Sequence, residues 1–400
     1  MSAASADPQD RIVVCSAVRT PIGKFMGGLQ SVSAVELGVI ATRAALERAG
    51  AGGDDVQQLI FGMARQAGSG PNVARQVAIR AGIPDSGTAI TINQACASGL
   101  RAITMAAQEI RSGNADAVIA GGTESMSRIP FLMPKMREGY RLGHGKLLDG
   151  NFQDGFHCPL VDAPMGSTAE TLAERHEITR AEQDAYAVES QRRTEVAQQS
   201  SRFADEIAPV TVTTRKGDVV IDTDEHPRHG ATVEGMAKLP AVFKKDGTVH
   251  AGNSSGITDG AAALLVTSES NARAKGWPIL AALTADAMAG VDPAIMGIGP
   301  VPALRKLEQR SGVKLGDVDL IELNEAFAAQ VIACDRELGL DMSRVNVNGG
   351  AIALGHPIGA TGARIAVTLL HEMQKRDAKR GVATLCVSGG MGIAALFERD

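Results

Sequence analysis

Aromatic residues are scarce in this 400-residue chain: one Trp, two Tyr and nine Phe, 3% of the total. Cysteines number five and are widely spaced at 15, 96, 158, 334 and 386, with no CxxC pair. An odd count at such spacing excludes a disulfide framework or a zinc ribbon and fits a reducing cytoplasm. Long apolar runs are missing too. The longest, such as Ala261 to Val266, fall far short of the roughly 18 residues of a membrane helix. Met1 to Asp10 contains no basic n-region, no apolar h-region and no arginine; it is neither a secretory signal nor a transit peptide and reads as a short disordered lead-in. A net charge of −5 without a basic stripe excludes a nucleic-acid footprint.

What is abundant is small. Glycine accounts for 45 residues, and hydrophobic residues make up 44%, enough for sizeable cores in two to three domains. With few aromatics, those cores must pack backbone closely against backbone.

The first third alternates strand and helix. Ile12 to Cys15 is a continuous apolar run suited to a strand buried on both faces. Helices follow over Ala34–Ala49, Val73–Ala81 and Gly99–Ser112, with strands at Gln58–Phe61, Ala89–Asn93 and Ala117–Ala120, the last closing on Gly121-Gly122. The pattern predicts an α/β fold with a largely parallel sheet. Residues 124–250 are loop-rich, with helices over Ser167–His176 and Arg180–Ser200, Thr179 capping the second; they read as an inserted subdomain. The last third repeats the order of the first: a helix over Val301–Arg310, strands at Val345–Asn348 and Ala383–Val387, the latter closing on Gly389-Gly390. A duplicated β/α unit with its halves back to back would bring strand ends to one shared cleft.

Four places carry chemistry. Cys96 sits between a strand and a helix in Asn93-Gln94-Ala95-Cys96-Ala97-Ser98-Gly99, a nucleophile elbow with a thiol, where the helix dipole favours thiolate; the competing reading is a buried structural cysteine. His356, in a run of five glycines from Gly349 to Gly362, can serve as base for a nearby thiol; the competing reading is a Gly-rich structural turn. That run lacks the Lys-Ser/Thr of a P-loop. Cys386, at a strand end, can exchange a proton with an acidic carbon or simply fill core. Asn324, in Glu322-Leu323-Asn324-Glu325-Ala326-Phe327, can orient water or donate to an oxyanion, although residues of this type at a helix start are more often caps. Cys15 and Cys334 read as core, and His157-Cys158 has no partner at metal-ligand spacing.

Together these segments resemble the thiolases. Asn93 to Gly99, Asn324 to Phe327, Gly355-His356-Pro357-Ile358-Gly359 and Cys386 to Gly392 resemble four thiolase signatures, and Ala120 to Ser127 and Gly252 to Gly260 resemble further thiolase segments. The likeness extends along the chain from Ile12. It implies a five-layer αβαβα fold of two pseudo-symmetric βαβαβαββ halves, 1–123 with 251–277 and 278–400, around a loop domain at 124–250. It implies an acetyl-CoA acetyltransferase or 3-ketoacyl-CoA thiolase of fatty-acid metabolism and β-oxidation, cytoplasmic, a homodimer or homotetramer, using coenzyme A as substrate and product and no permanent cofactor or metal. By resemblance Cys96 carries the acyl group, His356 takes its proton, Cys386 moves the proton at Cα, and Asn324 positions a water in one oxyanion hole. Backbone N–H groups of Cys96 and Ser388 form the other. Arg228 and Ser255 resemble CoA-binding residues, with Phe243, Ala251, Ala326 and Phe327 along the pantetheine arm and Met165 near the acyl group. Two positions depart from the pattern: Ser388 stands where glycine is common, and Pro164 where short-chain members often carry His, which leaves room for a longer acyl chain. The alternatives are a non-catalytic acyl-CoA or lipid-binding relative and a decarboxylating ketoacyl synthase; retention of both thiols and the histidine argues against each.

Overall fold

The computed structural model describes residues 10–400, so nearly all of the lead-in expected at Met1 to Asp10 lies outside the described residues. Strand β1, Ile12–Arg19, is buried at all eight positions. Its side chains divide between two cores: Ile12, Val14 and Ala17 enter one, Val13, Cys15 and Val18 the other. A bulge between Val14 and Ser16 resets the alternation midway, as an extra residue in a period-two strand must.

After β1 come α1 (Ala34–Ala49), β2 (Gln58–Gly62), α2 (Val73–Ala81), β3 (Thr88–Ile92), α3 (Ser98–Arg111) and β4 (Ala117–Ser125). Helix α1 is bounded as its ends dictate, by a Ser33/Glu36 capping box and a left-handed Gly50. The inserted segment between Ser125 and Thr258 contains α4 (Met165–Arg175), α5 (Arg180–Gln199) and three two-stranded sheets. Thr179 caps α5 as its sequence predicts, in a capping box with Glu182. The chain then returns as β5 (Thr258–Ser268) and continues through β6 (Ala281–Gly290), α6 (Pro300–Ser311), β7 (Leu320–Leu323), α7 (Ala328–Leu338), α8 (Ile358–Lys375), β8 (Arg380–Val387) and β9 (Met391–Glu398).

The two halves share one topology. Across the first the order is β3-β2-β4-β5-β1; across the second, β7-β8-β9-β6, with Val345 bridging to Ile321 at the position that β3 occupies in the first. Antiparallel pairing of Val13 and Val14 with Ala282 and Ala281 joins the halves edge to edge. Helices α3 and α8 lie between the halves and touch strands of both, while α1 and α2 cover the outside of one and α6 and α7 the other. The layering is therefore αβαβα.

Three expectations change. The sheet is mixed: among the described residues only β2·β3, β2·β4 and β7·β8 are parallel strand pairs, besides the isolated Val345 bridge, because β9 returns from β8 by a tight hairpin and β5 returns antiparallel beside β4. The strand expected at 345–348 is reduced to isolated bridges, Val345 to Ile321 and Val347 to Gly349. Asn346 takes a left-handed φ of 47°, and its amide replaces the ladder, accepting from Leu323 N and donating to Leu323 O and Glu325 Oε1. Gly121-Gly122 does not end its strand but lies within β4, unlike Gly389-Gly390, which turn a hairpin at φ 86° each. A Cβ on Gly122 would stand 2.1 Å from Gly359 O, so that glycine serves contact rather than a turn.

The crossing of α3 and α8 is also backbone to backbone. A Cβ on Gly99 would stand 2.6 Å from Ala363 N, and one on Gly362 2.3 Å from Leu100 N. Backbone atoms cannot yield as a flexible side chain can. In an isolated helix Gly362→Ala would gain about 1 kcal/mol; here overpacking of about 1–3 kcal/mol opposes it. Gly362→Ala is thus expected to lower the urea midpoint despite better helix propensity, and a raised midpoint would show that the crossing is not tight.

Candidate active site

The α3–α8 crossing places Cys96, two residues before α3, beside His356, two residues before α8. His356 Nε2 lies 3.3 Å from Cys96 Sγ. The turn holding Cys96 is tied down: Ala95 has φ 46°, its N–H donates to Asn93 Oδ1, Gln94 N–H donates to Ser98 Oγ, and Ser98 Oγ donates to Ala95 O. On the histidine side, Thr361 Oγ1 donates to Pro357 O. That hydroxyl has one hydrogen, so it accepts from Nδ1–H at 2.6 Å. The tautomer follows: Nε2 keeps its lone pair, facing the thiol.

Both partners rest neutral. Burial pushes the Cys96 thiol above its ordinary value, with the backbone N–H of Ser388 and the charge of Arg65 opposing. Burial, then the positive charges of Arg65 and Arg364, pull His356 down to about 3. The helix dipole expected to favour thiolate is therefore outweighed by desolvation. Cys386, buried at the end of β8, is raised well above its usual value by burial and by the nearby Cys96 and Cys334.

Cys96, His356, Cys386 and Ser388 line one cavity of about 110 Å³, together with Met165, Ser255, Ala326 and Phe327. Ser388 is absent from the positive-φ residues, so a side chain there costs no strain and its N–H is kept. Phe243 stands behind the wall, edge-on to Phe327 at 6.3 Å. Arg228 and Ala251 are exposed and outside the cavity lining. Asn324 is no cap: although 1% exposed, its Oδ1 and Nδ2 have no partner. The segment after it is fixed through Glu325, which accepts from Tyr186, Ser190, Asn346 and Ile352 N. Cys15 and Cys334 are core, as their sequence contexts predict. No group of three or more His, Cys, Asp or Glu among the described residues is placed to hold a metal ion.

The matches to known proteins place the chain in a family. Residues 12–270 match the model of the thiolase N-terminal domain and 277–399 that of the C-terminal domain. The chain belongs to the thiolase family. It is 53% identical over 390 residues to an acetyl-CoA acetyltransferase of Pseudomonas aeruginosa, covering 97% of this chain and 99% of the relative. The solved acetyl-CoA acetyltransferase of Syntrophomonas wolfei superposes with TM-score 0.96 at 43% identity, over 98% of this chain and 100% of that one. Human mitochondrial 3-ketoacyl-CoA thiolase in complex with CoA superposes with TM-score 0.94 at 42% identity, over 98% of each chain.

Sequence reasoning passed over Arg65, Phe156 and Thr361. Arg65 lines the thiolase cavity, is 2% exposed, and holds its guanidinium carbon 4.9 Å from the Phe156 ring centroid. It follows the end of β2, and loops after strand C-termini face the cleft in α/β units; searching such loops for arginine as well as for thiols and imidazoles would have found it.

The neutral pair has a pH signature. A raised thiol beside a depressed imidazole yields thiolate only as pH rises. Alkylation of the Cys96 peptide by iodoacetamide should climb steadily from pH 6 to pH 9. A rate flat from pH 6 to pH 8 would reveal a thiolate–imidazolium pair instead.

Proposed function

We propose that this thiolase is an acyl-CoA:acetyl-CoA C-acyltransferase that condenses two acetyl-CoA to acetoacetyl-CoA and cleaves 3-ketoacyl-CoA with CoA. The 3.3 Å contact between the Cys96 thiol and the lone pair of His356 carries the reading. In cleavage the thiol attacks the 3-keto carbon as its proton passes to Nε2. The oxygen of the adduct meets the N–H groups of Cys96 and Ser388. When the Cα–Cβ bond breaks, its electron pair goes to Cα and Cys386 gives that carbon a proton. Acetyl-CoA leaves; CoA then gives its thiol proton to Cys386 and takes the acyl group from Cys96, whose leaving thiolate recovers its proton from Nε2. Condensation is the same path reversed. The enolate oxygen is held by Nε2 of His356 and by a water on Asn324, whose two orphaned amide atoms call for such a partner.

A buried thiol with a raised pKa suits a group that returns its proton, which is why the two cysteines divide their work. CoA enters with pantetheine between Ser255, Ala326 and Phe327 and the Phe243 side of the wall, its adenine end toward exposed Arg228 and Ala251. We take residues 1–123 with 251–277 and 278–400 as the two halves and 124–250 as the domain covering the cleft. No helix among the described residues is long and apolar enough to cross a membrane, in keeping with the cytoplasmic reading. The exposed edge strand β3, with Ile90 41% exposed, and the apolar side chains of Phe131, Met136, Leu142 and Leu147 favour assembly into a homodimer or homotetramer.

Thiolysis of a 3-ketoacyl-CoA series of rising chain length tests the reading. The wild type should show parallel-line ping-pong kinetics, and Cys96→Ala should lose on the order of 10³-fold or more in kcat. Undiminished cleavage by Cys96→Ala would refute the mechanism. Cys386→Ala separates the steps: cleavage should fall steeply while exchange of labelled CoA into acetyl-CoA continues. Loss of both together would place Cys386 in acyl transfer rather than proton transfer.

A further inference from the structure

Arg65 is a buried cation with unpaired donors. Its Nε and Nη2 atoms are buried and have no hydrogen-bond partner. Glu124, the acid whose charge it feels most, is already occupied, accepting from the backbone N–H groups of Ala64, Arg65 and Gly359. The guanidinium is held in place: Phe156 covers one side, and Gly155 is so near that a Cβ there would stand 1.7 Å from Nη2. A guanidinium does not give up its proton, and an unpaired buried charge is costly. The cavity holds one exposed carboxylate, Asp154, whose charge Arg65 feels, but the buried Nε and Nη2 have no hydrogen-bonded partner.

The charges of the transfer reaction do not supply that partner. Cys96 Sγ already meets His356 Nε2 and the Ser388 N–H, and it has no hydrogen bond to Arg65. Resting on the thiolase reading above, we propose that Arg65 receives a carboxylate at the far end of the acyl group, so that 3-oxoacyl-CoA esters ending in a carboxylate are substrates. The planar fork matches a carboxylate with two parallel hydrogen bonds. Arg65 lines the catalytic cavity itself, and Ala64, Asp154, Gly155 and Met165 connect that cavity to an adjoining cleft of about 670 Å³ that Arg65 does not line, so the carboxylate must be met within the cavity by a short acyl chain. Asp154 opposes an anion, but it is exposed and screened by solvent, whereas Arg65 is not. The chemistry balances without a further reactant. The Cα–Cβ bond breaks, acetyl-CoA leaves protonated at Cα, the carboxyacyl group stays on Cys96, and CoA thiol removes it, its proton passing to Cys386 as Cys96 recovers one from Nε2 of His356.

Paired 3-oxoacyl-CoA esters of equal chain length, ending in methyl or in carboxylate, test this. The wild type should favour the carboxylate member in kcat/KM, and Arg65→Gln should reduce that preference by roughly 10–100-fold, the weight of a charged hydrogen bond. Arg65→Lys, which keeps the charge and loses the fork, should recover part of it. An unchanged carboxylate-to-methyl ratio in Arg65→Gln, with acetoacetyl-CoA still cleaved by the wild type, overturns the proposal and leaves the thiolase reading standing. Failure of the wild type to cleave any member sinks that reading itself. Should neither variant fold, the wild type decides alone, since a preference for the methyl-ended esters overturns the proposal.

Discussion

The site depends on how closely two helices cross. α3 and α8 meet backbone to backbone at Gly99 and Gly362, in a layer shared by both halves. Each helix begins next to a reactive residue, so their spacing is also the spacing of a thiol and an imidazole. A methyl group at the crossing would have to move one helix against a sheet, and close-packed interiors transmit such shifts rather than absorb them. At the crossing itself only glycine fits, while larger apolar side chains such as Leu100, Ile103, Ile365 and Leu369 fill the layer on either side of it.

Burial then decides the electrostatics. The same packing that excludes water holds Cys96 as a thiol and His356 as a neutral imidazole. Charge is therefore generated only during the reaction, when fixed N–H donors are already in position. Burial also leaves polar atoms of Asn324 and Arg65 without protein partners, the observation on which the proposed water and carboxylate sites rest.

Much of this was legible in the sequence because local rules and chain order agree. Ala34–Ala49 and Val73–Ala81 follow from apolar periodicity and glycine stops, and the repeat emerged because the same elements recur in the same order. The strand–Cys–Gly–helix context of Cys96 and the glycines around His356 pointed to one cleft. What was hidden is long-range. Nothing local reveals that Asn346 would replace a strand ladder with its side chain, or that Gly122 meets Gly359 across a layer. The expected thiolate failed because a helix dipole is local whereas desolvation depends on the finished fold. Arg65 was missed because an arginine in a loop usually reaches solvent; its place after a strand marks it as a candidate, and the packing of Gly155 and Phe156 keeps it buried.

One measurement bears most directly on the account. Incubated with acetyl-CoA alone and digested under acidic conditions, the protein should yield the Cys96 peptide heavier by one acetyl group, with the Cys386 peptide unmodified. An acetyl group on Cys386, or on neither cysteine while turnover proceeds, would contradict the assignment of nucleophile and proton carrier on which the mechanism rests.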